Sequence, residues 1–144
     1  MTLAIRPASA ADLAASKELL RKAGLPVADL SAERLAFVAE RNGVFQGVIG
    51  VESFGTTGLL RSLVVSADAR GAGVGPALVT ALEVASLASA IEELWLLTID
   101  ADRFFEKLGF ATRDRADAPD AIQGTEEFRG LCPGDAILMS KELS

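Results

Sequence analysis

The sequence contains no histidine and no tyrosine. The first absence removes the commonest general base, and with it any serine nucleophile that relies on an imidazole partner. The second removes the only phenol. A single cysteine, Cys132, cannot close an internal disulfide, and without histidine it leaves no recognisable zinc site. No metal is therefore expected, and a reducing cytoplasm is the simplest setting. No apolar run approaches the roughly 18 residues of a membrane span. The opening Met1-Thr2-Leu3-Ala4-Ile5-Arg6-Pro7 has no signal-peptide pattern, so no membrane partner is expected. Basic residues are outnumbered, 14 against 20, for a formal charge of −6. That argues against general nucleic-acid binding, which leans on basic patches. It does not exclude one anionic ligand held locally by backbone amides.

What is present is a chain of 144 residues, half of them hydrophobic. That suits one domain, 1–144, with a workable core. Leu3-Ala4-Ile5 reads as a strand. Ser9-Ala10-Ala11-Asp12 reads as a capping box that starts a helix from about Ala10 to Lys22, stopped by Gly24. Ser31–Arg34 reads as a short helix or turn. Asn42-Gly43 is a strong hairpin turn between Ala36–Glu40 and Val44–Glu52. Gly55-Thr56-Thr57-Gly58 is a second hairpin turn, leading into Leu59–Val65. A second main helix spans about Val74 to Ser89, and Leu94–Ile99 reads as a buried strand. Asp102–Leu108 reads as a short helix closed by Gly109, and Phe110–Arg113 and Ala136–Ser140 as the closing strands. Asp114–Gly134 is the least legible segment. The order predicts an α/β chain with a mixed sheet covered by helices.

The most informative stretch is Arg70-Gly71-Ala72-Gly73-Val74-Gly75. It lies between the apolar strand Leu59–Val65 and a helix. Its glycines let the backbone turn tightly and approach a ligand closely. The new helix presents free N–H groups and the positive end of its dipole, so an anion, above all phosphate, fits there. Arg70 adds a fork-shaped cation. No Lys-Ser or Lys-Thr follows the glycines, and their spacing is not G-x-G-x-x-G, so two better-known phosphate motifs are set aside. The match is to R-x-x-G-x-G at a strand-to-helix junction.

At these residues the chain resembles the GNAT superfamily, whose members transfer an acyl group from coenzyme A. Phe104-Phe105-Glu106-Lys107-Leu108-Gly109-Phe110 is similar to a second family segment, F-Y-x-K-x-G-F. The order of elements agrees from about Leu3 to Ser140. The resemblance implies a mixed, mostly antiparallel sheet flanked by helices on both faces, and acetyl-CoA as co-substrate. It implies that the N–H groups of Gly71, Ala72, Gly73, Val74 and Gly75 hold the pyrophosphate. Backbone groups of Leu63 and Val65 would then pair with pantetheine, and a nearby N–H would receive the thioester oxygen. The chain departs from the family at Phe105, where tyrosine is frequent, and at Thr98, which replaces a usual asparagine. Both would lie on the cofactor side. A dedicated proton donor to the leaving thiolate is thereby placed in doubt, although a thiol of pKa about 8.5 leaves tolerably as its anion.

Leu60-Arg61-Ser62-Leu63, Leu97-Thr98, Phe104-Phe105 and Glu127–Pro133 also resemble short GNAT proteins associated with arsenic resistance. Relatives of that group acetylate glutamate-like amino acids carrying arsenic or phosphorus. This implies a small-molecule amino acceptor and a monomer or homodimer. Arg61, charged in an otherwise apolar strand, is then either a clamp for the acceptor's carboxylate or half of an ion pair with Glu52; the two roles are compatible. Glu52 would lie directly opposite Arg61 if the hairpin is centred between Thr56 and Thr57, and it could also take the proton from the acceptor amine. Ser62, by strand alternation, should face away from Arg61. Arg113, Arg115 and Arg129 read as solvated loop charges or as the acceptor side. Cys132 reads as a buried structural thiol. Two rival functions remain: acetylation of a protein or peptide amine, which needs an open groove, and a non-catalytic CoA-binding sensor.

Overall fold

Turn chemistry places the strands. Asn42 and Gly43 both take left-handed backbone, φ 53° and 77°, as a two-residue hairpin turn requires. They join β2 (Leu35–Arg41) to β3 (Val44–Phe54). The computed structural model describes residues 3–25, 27–28, 30–126, 128–129 and 136–143. The remaining elements are β1 (Leu3–Pro7), β4 (Thr57–Val65), β5 (Glu93–Thr98), β6 (Ala111–Arg113) and β7 (Ile137–Glu142), with helices α1 (Leu13–Lys22), α2 (Val74–Ala88), α3 (Asp102–Lys107) and α4 (Asp120–Gln123). The strands form a seven-stranded, mostly antiparallel sheet ordered β1-β2-β3-β4-β5-β7-β6. The β4–β5 pair is parallel. No helix among the described residues is long and apolar enough to cross a membrane.

The chain divides into two compact units. The first holds Met1–Val51 and Arg61–Ala85. Here β1 pairs antiparallel with β2, and β2 with β3, matching Val38 to Val48. Leu20 of α1 packs with Leu30, Leu35, Val38, Val48 and Val64 into an apolar core. The Ser9 capping box is present at a 3-10 turn, Ala10–Asp12, that leads into α1. Asp12 accepts from the Ser9 N–H at 2.8 Å and takes two hydrogen bonds from Arg6, at 2.9 and 3.0 Å. Arg6 also donates to Glu40 at 2.6 Å. The Arg6 bonds lower the Asp12 pKa to about 2. The stabilisation is therefore present above the ordinary carboxylate range and is lost only as pH falls towards 2.

The second unit holds Glu52–Leu60 and Ser86–Ser144. Residues Thr57–Leu59 of β4 run parallel to Glu93–Trp95 of β5. β5 pairs antiparallel with β7, and β7 with β6. Leu59, Trp95, Ala118, Ile122 and Leu138 form the core. Ala118 and Ile122 come from the segment that the sequence left least legible, where the chain forms a 3-10 turn, Arg115–Asp117, followed by α4.

The second hairpin corrects an expectation. Its turn is Gly55-Thr56, between Phe54 and Thr57. A two-residue turn sets Phe54 against Thr57, and counting back it sets Glu52 against Leu59 and Gly50 against Arg61. The Arg61 carbonyl oxygen indeed lies 3.4 Å from where a Gly50 Cβ would stand. The centre is thus one residue earlier than the register that would put Glu52 directly opposite Arg61.

Candidate active site

The glycine loop begins where β4 ends. After Val65 a 3-10 turn, Ala67–Ala69, carries the chain to Arg70, and α2 starts at Val74. Gly71 and Gly73 are left-handed, φ 82° and 83°, with Ala72 between them. Alternation of this kind aims successive N–H groups to one side and makes an anion-binding concavity. The first backward helical bond is Ala77 N–H to Gly73 C=O at 3.2 Å. Val74 and Gly75 fall in the first turn, where N–H groups have no carbonyl behind them, and Pro76 brings no N–H at all. No acidic residue stands in that turn. A Cβ on Gly71 or Gly73 would meet nothing within 4 Å. The space, the amides and the absence of negative charge fit a phosphate-bearing cofactor.

Two details differ from the expected arrangement. The Ala72 N–H donates to the Ala69 carbonyl at 3.3 Å, so Ala72 is already engaged within the loop. Arg70 is exposed, and its Nε donates to the Val65 carbonyl at 3.5 Å. That carbonyl is one of the backbone groups assigned to pantetheine. Leu63 and Val65 are half-buried and lie beyond Leu59, the last β4 residue in the ladder with β5.

Arg61 is 2% exposed, a guanidinium inside an apolar strand. Its Nε donates to Ser62 Oγ at 3.1 Å. Adjacent strand residues should point to opposite faces, so the expectation that Ser62 faces away from Arg61 is overturned. The cause is local: Ser62 sits at φ 59° and breaks the alternation. Beyond it the Ser66 N–H donates to the Gln46 carbonyl at 2.8 Å. Counted back from Gly50 and Arg61, Gln46 would face Val65, so one residue is gained between Arg61 and Ser66. This is a bulge.

In the second unit Glu52 is buried on β3, 8% exposed. Thr98 ends β5, and its Oγ1 accepts the Ala101 N–H at 3.0 Å, one residue before α3. Thr98 thus turns the chain from strand into helix. Phe105 is buried within an aromatic trio, edge-on to Phe104 at 5.0 Å and to Phe110 at 5.5 Å. Arg113 donates to Ser140 Oγ at 2.9 Å. Arg115 donates to the Phe128 carbonyl at 3.1 Å and lies 4.5 Å above the Phe128 ring. These two arginines tie down their own unit, while Arg129 is exposed. Cys132 lies outside the described residues. The Ser62 geometry and the Arg70–Val65 contact were missed from sequence, and serine carries no local signal for left-handed backbone.

The family model described as the acetyltransferase (GNAT) domain matches residues 32–112. No curated protein matches the chain. Among solved structures it is similar to N-acetylglutamate synthase from Neisseria gonorrhoeae complexed with coenzyme A and N-acetyl-glutamate. There the TM-score is 0.84 and the identity 19%, covering 100% of this chain and 36% of that one. The chain thus spans about a third of that synthase. It is also similar to Rv2747 from Mycobacterium tuberculosis in complex with CoA, with TM-score 0.82 and 19% identity over 98% of this chain and 99% of that one. The ribosomal-protein-S18-alanine N-acetyltransferase from Escherichia coli gives TM-score 0.76 and 22% identity, covering 99% and 95%. At these identities the likenesses show the fold. The family match covers more than half of the chain, glycine loop included, so this protein belongs to the GNAT acetyltransferase family.

Proposed function

We propose that the protein moves an acetyl group from acetyl-CoA to the amine of a small, amino-acid-like acceptor. The observation that carries the acceptor class is Arg61: a guanidinium 2% exposed, on the strand that leads into the cofactor loop. A guanidinium pairs with a carboxylate through two parallel hydrogen bonds, which suits an acceptor that carries one. The resemblance to the short arsenic-resistance group supports glutamate-like acceptors carrying arsenic or phosphorus, and with them a role in resistance to toxic amino acids.

Acetyl-CoA supplies an activated acetyl thioester, and the acceptor amine attacks it directly. The loop amides of Gly71, Gly73, Val74 and Gly75 and the Arg70 guanidinium hold the phosphates. Leu63 and Val65 offer backbone groups to the pantetheine arm. Arg61 orients the acceptor through its carboxylate, so that most of the barrier is lowered by positioning. Glu52 takes the proton from the amine, directly or through water. Phe105 and Thr98 shape the cofactor side, and the thiolate leaves without a phenol to protonate it.

The test is turnover with the twenty protein amino acids, with glutamate analogues carrying arsenic or phosphorus, and with peptides. Arg61→Lys keeps the charge but loses the fork. It should raise the acceptor's KM about tenfold or more, roughly 1.4 kcal/mol, and leave acetyl-CoA binding nearly intact. Preference for peptides, or for amines without a carboxylate, would overturn the acceptor class. CoA binding without turnover on any amine would make the protein a sensor module.

A further inference from the structure

We propose that Arg115 receives the side-chain acid of the acceptor and so selects glutamate-like amino acids over their uncharged counterparts. The inference deepens the amino-acid reading given above and rests on it. It concerns a second anionic group, whichever residue meets the acceptor's α-carboxylate.

Arg115 is half-buried and lies just before α4. Its Nη1 donates to the Ala136 carbonyl at 3.4 Å and its Nη2 to the Phe128 carbonyl at 3.1 Å. The Phe128 ring centre lies 4.5 Å from the guanidinium carbon and covers one of its faces. All of these partners are uncharged. Asp114, Asp117 and Asp120 are near in sequence but exposed, and among the described residues no carboxylate forms an ion pair with Arg115. Two carbonyls leave a guanidinium with N–H groups to spare. Stacked on a ring and held by two carbonyls, this one is fixed in place while its charge stays unmatched. A planar fork so fixed suits an acid group with two oxygens.

Its place in the fold points the same way. Ala136 precedes Ile137, which pairs with Thr98, the last residue of β5. Glu52 stands against Leu59 and Leu59 against Trp95, so their side chains share one face of the sheet. Phe128 packs on that face, against the core that holds Leu59 and Trp95. β5 runs on past Trp95 to Thr98, beyond its last ladder partner in β4. The carboxyl ends of parallel strands are where ligands usually settle. Phe128 and Ala136 thus hold the Arg115 guanidinium at the carboxyl end of β5, on the face of the proposed base Glu52.

The test is the ratio of kcat/KM for L-glutamate to that for L-glutamine, two acceptors of nearly one shape that differ by a charge. The glutamate analogue carrying phosphorus takes the place of glutamate if it is the better acceptor. The ratio is measured with acetyl-CoA in the parent, Arg115→Gln and Arg115→Lys, with thermal unfolding of each. The parent should favour the acid about tenfold or more, and Arg115→Gln should bring the ratio to within about twofold of one. Lysine keeps the charge but loses the fork and the stacking, so Arg115→Lys should lower the ratio about threefold or more. If Arg115 only fastens the chain, both acceptors suffer alike and the ratio stands. That result overturns the inference and leaves the amino-acid reading intact. A parent that takes glutamine as readily as the acid overturns it in the same way, without any variant. Should Arg115→Gln fail to fold, Arg115→Lys and the parent decide. Turnover only on amines without a carboxylate would bring down the acceptor class itself, and this inference with it.

Discussion

Within the first unit, left-handed backbone occurs in β4 and again in the loop that follows it, and the two places use different residues. In the loop Gly71 and Gly73, φ 82° and 83°, are exposed and look onto open space. In β4 Ser62, φ 59°, is half-buried and its hydroxyl is bonded to Arg61. Glycine in the loop leaves the backbone N–H groups uncovered by any Cβ, as the proposed phosphate site needs. Serine in the strand keeps a side chain, and that side chain makes a bond. One backbone conformation thus leaves amides open in the loop and carries a side-chain contact in the strand.

The strongest way to break this contrast is to put a side chain into the loop. Gly73→Asp should lower acetyl-CoA affinity at least about tenfold, or 1.4 kcal/mol, measured by calorimetry. A Cβ on Gly73 meets nothing within 4 Å, but at φ 83° any side chain strains the backbone, so a variant with the same strain is needed beside it. Gly73→Asn has nearly the same shape without the charge. It should lose clearly less, because an ionised carboxylate at the helix start competes with phosphate for the amides and repels it, whereas an uncharged amide does not. Unchanged affinity in folded Gly73→Asp would remove the loop from the cofactor site.

The same contrast explains what was legible in the sequence. Left-handed backbone announces itself where glycine or asparagine provides it. The Asn42-Gly43 turn, the Gly24 and Gly109 helix stops and the glycine loop between β4 and α2 were all read at their observed places. It stays silent where serine or alanine provides it. The bulge at Ser62 was therefore invisible, and strand alternation sent its side chain to the wrong face. The second hairpin failed differently. Gly55-Thr56-Thr57-Gly58 offers glycine at both ends, so composition cannot choose the central pair. Packing chooses: a Cβ on Gly58 would stand 2.9 Å from Leu94 Cδ2, which marks Gly58 as a ladder residue close against β5. Thr98 was singled out as an asparagine replacement, but its bond to Ala101 depends on a chain reversal that follows β5 and no strand pattern reports it.

A third left-handed position sharpens the comparison, because it has neither glycine nor a useful side chain. Ala90 takes φ 66° just past α2, where the Ile91 N–H donates to the Ser86 carbonyl at 2.9 Å and the Ala90 N–H to Leu87 at 3.1 Å. This is a helix-closing motif whose left-handed residue is usually glycine. Alanine there bears the steric cost of its Cβ with nothing returned. Ala90→Gly should therefore stabilise the protein by about 0.5–1 kcal/mol, after allowing for glycine's freer unfolded chain. The corresponding rise in Tm is about 1–4 °C. Activity should not change. Ser62→Gly shares the expected sign in stability. A drop in Tm for Ala90→Gly would show that left-handed strain is negligible in this chain.

The smallest expected effect concerns the other side of the contrast, a side chain that the chemistry does without. Phe105 occupies the place where the family frequently carries tyrosine, and it is buried against Phe104 and Phe110. The chain has no histidine to substitute as proton donor. If the protein works mainly by positioning, through amides at the loop and a fixed guanidinium on β4, then restoring a phenol should change little. Phe105→Tyr is expected to alter kcat by less than about fivefold, or about 1 kcal/mol of barrier. The added hydroxyl must also find a partner in an apolar setting, so a small loss of stability is expected with it. Steady-state kinetics across pH makes the check: the parent and Phe105→Tyr should share the shape of their profiles. A rise in kcat of two orders of magnitude would show that protonation of the leaving thiolate limits turnover, and that a side-chain acid, not placement of the two substrates, is what this chain lacks.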